Sequence, residues 1–136
     1  MTKIIGRVQP GLGNAGPNLK QRDVDKKIAA FLGVPGVFPG TLNVGIDTEY
    51  SELDNGEYEG FIEASDYNDR EWIKLKRCKV NGLRCVLVRP KDHTWVEKFK
   101  KRIEIMSEVK LRDEFNLNDG DEITIEFQGD DDWWNK

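Results

Sequence analysis

The sequence predicts a mainly β protein: a small closed barrel with one longer helix near the N-terminus and one short helix near the C-terminus. The first observation behind the barrel is a hairpin around Asn81-Gly82 with apolar residues on both faces, for example Leu87 on one and Val88 on the other. A sheet without a polar face suits a closed barrel with helices or loops packed outside it. The second observation is Glu122–Phe127, where apolar and polar residues alternate as in a strand with one face in a core.

The individual elements follow from hydrophobic periodicity and turn residues. The longer helix is predicted over Leu19–Leu32, with Asn18 as its cap and Gly33 as its end. The short helix is predicted over Glu108–Phe115, with Ser107 as its cap. The predicted strands are Lys3–Gln9, Thr41–Ile46, Tyr58–Ala64, Glu71–Val80, Leu83–Arg89, Ile103–Met106 and Glu122–Phe127.

The length and charge of the chain bound its organisation and partners. At 136 residues it is expected to form one domain over residues 1–129, large enough for a single core. The formal net charge of −4 provides no basic field, which argues against nucleic acid or a membrane surface as a partner and against a DNA-binding barrel. We expect a soluble, cytoplasmic protein without a signal peptide or membrane span. The sequence does not determine the oligomeric state, with a monomer slightly favoured.

Residues 130–136 form a distinct acidic segment that contains Trp133 and Trp134. We expect this segment to be a flexible tail that follows the last strand. The alternative is that the two tryptophans cover an apolar groove, and both interpretations stay open at this point.

Cys78 and Cys85 lie on either side of the predicted hairpin turn. If the turn has two residues, the two cysteines face each other across the hairpin, at a separation that could permit a disulfide. In a reducing cytosol we expect two free, packed thiols instead. Two cysteines and the single histidine, His93, make a poor zinc set, so no structural metal is expected.

Thr41 and Asn43 lie two residues apart at the start of a predicted strand, directly after Pro39-Gly40. Residues i and i+2 of a strand share a face, so their two neutral oxygens lie side by side while Leu42 and Val44 turn into the core. Oxygen ligands of this kind suit Mg²⁺, which keeps several waters and also binds phosphate oxygens. The alternative is an ordinary strand start whose polar side chains meet water.

A second candidate segment is the small-residue loop Gly11-Leu12-Gly13-Asn14-Ala15-Gly16. Small residues allow backbone N–H groups to surround an anion, although the spacing matches neither a Walker loop nor a dinucleotide fingerprint. The alternative is a plain connecting loop.

Several stretches together resemble the archaeal-type, CTP-dependent riboflavin kinase family. They occur in the family's order and cover nearly the whole chain, which makes weak individual motifs specific in combination. They are Gly11–Gly16, Pro39–Val44, Pro90 with Thr94, Ile103–Met106 running into Val109–Arg112, and Phe115–Ile123. The resemblance implies a six-stranded, cradle-loop, riboflavin-kinase-like barrel that transfers the γ-phosphoryl group of CTP to riboflavin, giving FMN and CDP.

The resemblance also implies roles for individual residues. The loop residues Gly11, Leu12, Gly13, Asn14, Ala15 and Gly16 would hold the nucleotide phosphates, and Thr41 and Asn43 would bind Mg²⁺. Thr94 and Glu104 would contact the flavin. The cytidine nucleotide would be contacted by Val109, Lys110, Leu111 and Arg112.

The residue types fit this chemistry, because phosphoryl transfer needs positioning and charge neutralisation above all. Glu104, close to the accepting hydroxyl, could orient that hydroxyl or take its proton as the catalytic carboxylate. Each residue also has a simpler interpretation: Glu104 as a surface-facing strand residue, Thr94 as a turn cap, and Val109–Arg112 as an ordinary helix start with Leu111 in the core.

The sequence therefore predicts a Mg²⁺-dependent kinase that acts on small molecules. Two other functions remain open: a non-catalytic module that binds a nucleotide or flavin, and a kinase on the same fold that phosphorylates a different alcohol.

Overall fold

The computed structural model describes residues 2–10, 23–46, 58–63, 72–91, 101–127 and 131–135. Within these ranges the chain forms seven strands and three helices. The strands are β1 (Thr2–Gln9), β2 (Leu42–Gly45), β3 (Gly60–Ile62), β4 (Ile73–Val80), β5 (Leu83–Pro90), β6 (Arg102–Met106) and β7 (Glu122–Phe127). The helices are α1 (Val24–Leu32), α2 (Leu111–Glu114) and α3 (Asp131–Trp134).

Six of the strands form a closed antiparallel barrel, as predicted. Their order around the barrel is β4-β5-β6-β2-β1-β7, and β7 returns to β4 through the pairs Lys79↔Glu126 and Val80↔Ile125. The short strand β3 lies outside this ring, where it pairs with the first half of β4 through Gly60↔Leu75. Closure leaves no open edge along most of the sheet.

The barrel interior is a single apolar cluster. Alternate residues of each strand point inward, so Leu42 and Val44 of β2 meet Ile103 and Ile105 of β6 there. Leu111 of α2 belongs to the same cluster, so α2 packs against the barrel interior. The other buried members are Val8, Cys78, Val80, Cys85, Leu87, Ile123, Ile125 and Phe127.

A second apolar cluster lies on the outer face of β4 and β5. Val24, Ile28 and Leu32 of α1 lie at intervals of four residues and form the buried stripe of this helix. β4 and β5 contribute the residues that alternate with those pointing into the barrel interior, including Leu75 and Val88. Because both faces of the hairpin are buried, the mixed apolar pattern that predicted the barrel has a direct structural cause.

The ends of α1 were predicted with different success. Gly33 ends the helix at φ 80°, and its N–H donates to the carbonyl oxygens of Ala29 and Ala30. The described helix begins at Val24, after Asp23 at φ 59°, and the predicted start at Leu19 lies outside the described residues. The predicted cap Asn18 lies outside the described residues.

The prediction that Ser107 caps a helix over Glu108–Phe115 was wrong. The helix spans Leu111–Glu114 only, and its N-cap residue is Lys110. Ser107 is 1% exposed, and its hydroxyl donates to the carbonyl oxygen of Arg84 at 3.1 Å. A buried hydroxyl needs a partner, and the neighbouring strand provides one before the helix begins.

The hairpin around Asn81 and Gly82 has the predicted register. Both turn residues have positive φ, 50° and 81°, as a two-residue type I′ turn requires.

Cys78 faces Cys85 across the hairpin, and both are free, buried thiols as expected. Burial raises the pKa of Cys85 to about 12 and raises the pKa of Cys78 well above its ordinary value.

The C-terminal tryptophans are packed on the barrel. Trp133 and Trp134 are 8% and 7% exposed and belong to the outer apolar cluster, which corresponds to the second of the two interpretations above. Lys79 Nζ donates to the Trp133 carbonyl oxygen at 2.6 Å, and Arg77 pairs with Asp131 at 3.2 Å.

The domain boundary expected at residue 129 stays a prediction. No helix within the described ranges is long and apolar enough to cross a membrane.

Candidate active site

The candidate site begins at the entry to β2. Leu42 and Val44 are buried in the barrel interior, so Thr41 and Asn43 take the opposite parity and face outward. This alternation confirms the expected placement of Thr41 and Asn43 on a common face. The cause is the register of β2 with β6, in which Leu42 pairs with Ile105 and Val44 with Ile103.

Strand pairing brings Glu104 to the same place. Asn43 and Glu104 are paired residues of β2 and β6, and the Thr41 hydroxyl donates a hydrogen bond to Glu104 Oε1 at 3.1 Å. Residues separated by about sixty positions in the chain thus form one cluster of hydroxyl, amide and carboxylate oxygens. Their residue types had suggested a metal ligand pair and a catalytic carboxylate, and the structure puts all three together.

Asn43 combines a polar side chain with deep burial. Its exposed fraction is 7%, and no hydrogen bond joins its side-chain amide to another described residue. A buried polar group without a partner costs roughly 1–3 kcal/mol, so such groups are rare unless they bind something. Asn43 is therefore a buried amide, without a side-chain hydrogen bond to the described residues, that lies beside Glu104.

Gln9 completes a polar row across three neighbouring strands. It pairs with Asn43 on the side opposite Glu104, and its Oε1 accepts a hydrogen bond from Arg102 Nε at 3.3 Å. Its carbonyl oxygen accepts from Arg112 Nη2 at 3.0 Å. Sequence reasoning did not select Gln9, because only the pairing of β1 with β2 brings it to Asn43.

A groove connects this cluster to the late helix. It is lined by Phe38, Gly40 and Thr41 before β2, by Ser107 after β6, and by Val109–Arg112. It encloses about 290 Å³ of empty space, including its open mouth. Thr41 thus belongs both to the polar cluster and to the groove, which brings the predicted metal ligands next to the predicted nucleotide segment.

The four residues of Val109–Arg112 contribute differently. Leu111 is buried in the barrel interior, as its simpler interpretation expected, while Lys110 is exposed. Arg112 donates to Asp119 Oδ1 at 2.6 Å as well as to the Gln9 carbonyl oxygen, so it joins the end of β1 to the turn before β7. Because α2 has only four residues, its dipole offers little to an anion.

The remaining predicted site residues cannot be placed. Gly11, Leu12, Gly13, Asn14, Ala15 and Gly16 lie outside the described residues, as does Thr94. They stay predictions.

The donor set suits a hard cation. Among the described residues no group of three or more histidine, cysteine, aspartate or glutamate side chains could hold a metal ion. Thr41 and Asn43 instead offer a hydroxyl and an amide oxygen beside the Glu104 carboxylate, and neutral oxygens of this kind fit Mg²⁺ that keeps waters and binds phosphate oxygens.

A comparison with known families identifies a matching family model. The family model CTP-dep_RFKase, described as a domain of unknown function (DUF120), matches residues 8–127, which include both sides of the polar cluster and the groove. The chain belongs to the CTP-dependent riboflavin kinase family.

Members of this kinase family occur among archaeal proteins of greater length. A riboflavin kinase of Thermoplasma volcanium is 34% identical over 132 residues, covering 90% of this chain and 56% of the relative. Riboflavin kinases of Archaeoglobus fulgidus and Pyrobaculum aerophilum are 33% and 32% identical, covering 91% of this chain in both cases and 54% and 60% of the relatives. The chain therefore spans slightly more than half the length of these relatives.

Proposed function

We propose that this chain transfers the γ-phosphoryl group of CTP to the primary hydroxyl of riboflavin, giving FMN and CDP. The observation that carries the proposal is the cluster in which Thr41 donates to Glu104 while Asn43 lies beside that carboxylate. The resemblance assigned these residues to a metal and a flavin on the basis of motifs far apart in the sequence. Their meeting in one cluster supports a common site for both substrates.

In the proposed site Thr41 and Asn43 hold Mg²⁺. When bound, the ion neutralises charge on the phosphate oxygens and orients them for in-line transfer. Asn43 supports this assignment because its amide is buried and makes no hydrogen bond to another described residue. The neutral ligands leave the ion with most of its charge, which suits an anionic substrate.

Glu104 is the proposed catalytic carboxylate. It accepts a hydrogen bond from Thr41 and lies on the strand next to β2, so it can hold the flavin hydroxyl close to the phosphate. In that position it orients the hydroxyl and accepts its proton as the new O–P bond forms. Thr94 is the second proposed flavin contact.

The nucleotide is proposed to lie between the small-residue loop Gly11–Gly16 and the segment Val109–Arg112. The loop supplies backbone donors for the phosphates. The hydrogen bond from Arg112 to the Gln9 carbonyl supports this arrangement, because it ties the late segment to the strand that leads directly into the loop. Two free, buried thiols at Cys78 and Cys85 agree with a cytoplasmic setting.

The test is to incubate the whole chain with riboflavin, Mg²⁺ and each of the four ribonucleoside triphosphates in turn, and to separate FMN from riboflavin by chromatography. We expect FMN with CTP and much less with ATP, GTP or UTP. Binding of CTP and riboflavin without FMN would indicate a non-catalytic module. Consumption of CTP with another alcohol but not with riboflavin would indicate a kinase of different specificity.

A further inference from the structure

We propose that Phe38 is the stacking platform for the pyrimidine base of the nucleotide. The proposal rests on the proposed function, since it requires the nucleotide to bind in this groove. Phe38 was not selected from the sequence. It is 37% exposed, and its side chain lines the groove that also contains Thr41 and Lys110.

The backbone around Phe38 holds the ring in position. Phe38 N–H donates to the Ser107 carbonyl oxygen at 3.0 Å, which ties it to the residue after β6. Gly40 N–H donates to the Phe38 carbonyl oxygen at 2.8 Å. A Cβ atom added to Gly40 would lie 2.9 Å from Cε1 of the ring, so the ring can occupy this position because residue 40 has no side chain. A platform positioned in advance loses little entropy when a ligand stacks on it.

The charges near the ring suit a nucleotide. Lys110 Nζ lies 5.8 Å from the centroid of the Phe38 ring, at a distance typical of a cation–π contact. Thr41 lines the same groove and donates to Glu104, which places the polar cluster at one end of the aromatic surface. A base stacked on Phe38 would therefore direct its phosphates toward a lysine and the proposed metal ligands.

The groove gives Phe38 apolar neighbours, because Val109 and Leu111 line it together with the ring. Base–aromatic stacking accepts any aromatic ring, so Phe38 would supply affinity for the base of the nucleotide and not a choice between bases.

The experiment measures dissociation constants of the whole chain for CDP with Mg²⁺, for inorganic tripolyphosphate with Mg²⁺, and for riboflavin, by titration calorimetry. Phe38→Ala should weaken CDP binding about tenfold, because base–aromatic stacking is a substantial part of nucleotide affinity. Tripolyphosphate, which has no base, and riboflavin should bind to the variant as they do to the unchanged chain. Phe38→Trp should retain CDP affinity, because it keeps an aromatic face.

Phe61→Ala is the matched control, since Phe61 is 39% exposed and lies on β3 away from the groove. It should leave all three affinities unchanged. Unchanged CDP affinity in Phe38→Ala, with FMN formation intact in the wild type, would overturn the inference and leave the proposed function standing. An equal loss of CDP and tripolyphosphate binding would also overturn it. A wild-type chain that binds no cytidine nucleotide would remove the proposed function together with the inference.

Discussion

At the scale of single residues, the proposed chemistry depends on Glu104 as the carboxylate next to the accepting hydroxyl. It lies half-buried between two core residues, Ile103 and Ile105, and accepts a hydrogen bond from Thr41 at 3.1 Å. A strand residue that only faced solvent would have no such partner. The bond joins the carboxylate to Thr41, which lines the groove, and the proposed function requires the substrate hydroxyl to bind near that carboxylate.

Glu104→Gln should separate catalysis from structure. The amide keeps the shape and an acceptor for Thr41 but loses the charge and basicity, so FMN formation with CTP should fall about 10²- to 10⁴-fold. The free energy of unfolding should change by about 1 kcal/mol or less. Steady-state FMN formation and urea unfolding measure the two effects.

Glu126→Gln is the control for this change, because Glu126 is also a half-buried, outward-facing strand glutamate but lies on β7. It should retain full activity. If Glu104→Gln forms FMN at the wild-type rate, Glu104 is not the catalytic carboxylate.

At the scale of elements, α3 is a structural part of the molecule. Trp133 and Trp134 cover the outer cluster, and the cations of Lys79 and Arg77 lie over their rings at 5.1 Å and 5.4 Å from the respective centroids. Burial of two large aromatic side chains contributes several kcal/mol in a small domain. The C-terminal segment should therefore stabilise the barrel.

Trp134→Ala should lower the free energy of unfolding by about 3 kcal/mol, since it removes a large buried side chain and leaves a cavity. Asn135→Ala, one residue further on and exposed, should change it by less than about 0.5 kcal/mol. Urea unfolding followed by far-UV circular dichroism measures both. Equal stabilities for the two variants would mean that α3 does not pack on the barrel in solution.

The elements also show what the sequence could and could not predict. The hairpin around Asn81-Gly82 and the alternation in Glu122–Phe127 were predictable, because their signals are local: a turn with positive φ and a period of two. The cap of the late helix was not. Ser107 has a suitable side chain for a cap, but its hydroxyl bonds to Arg84 on another strand, and no local pattern shows that competition.

The candidate site also has a part that the sequence could predict and a part that it could not. The outward direction of Thr41 and Asn43 follows from strand parity, which a sequence shows. The proximity of Glu104, Gln9 and Phe38 follows from the pairing of β2 with β6 and β1 and from the bond between Phe38 and Ser107. These contacts are long-range, so only the resemblance had selected Glu104, and nothing had selected the other two.

At the scale of the whole molecule, two apolar clusters on opposite faces of β4 and β5 stabilise the fold. The two buried thiols make the free energy of unfolding depend on pH. The pKa of Cys85 is raised by burial from its ordinary value of 9.0 to about 12, and that of Cys78 is raised well above 9.0. A raised thiol pKa means that the folded state keeps protons which the unfolded state releases. Stability is therefore fully retained below about pH 9 and falls as the pH rises from there toward the folded pKa.

Each ionising thiol should contribute a slope of up to about 1.4 kcal/mol per pH unit in this interval. Cys85→Ala removes one of the two groups, so its unfolding free energy should fall less steeply between pH 9 and pH 11 than that of the wild type. Urea unfolding at four pH values in this range measures the slopes. Parallel curves for the two proteins would contradict the assigned burial of the Cys85 thiol.

At this scale, the described residues of the candidate site all belong to one barrel. The chain that forms this barrel spans slightly more than half the length of its archaeal relatives. Asn43 lies on β2, Glu104 lies on the adjacent strand β6, and Thr41 directly precedes β2.

The measurement that tests this account most directly is the Mg²⁺ dependence of FMN formation in Asn43→Ala, with Asn135→Ala as the control variant. We predict that the half-saturating Mg²⁺ concentration rises at least about tenfold and that turnover falls, because one ligand of the ion is lost. The unfolding free energy should fall by no more than about 1 kcal/mol, since the buried amide has no hydrogen bond to another described residue to lose. Unchanged magnesium dependence and turnover in a folded Asn43→Ala variant would contradict the proposed site.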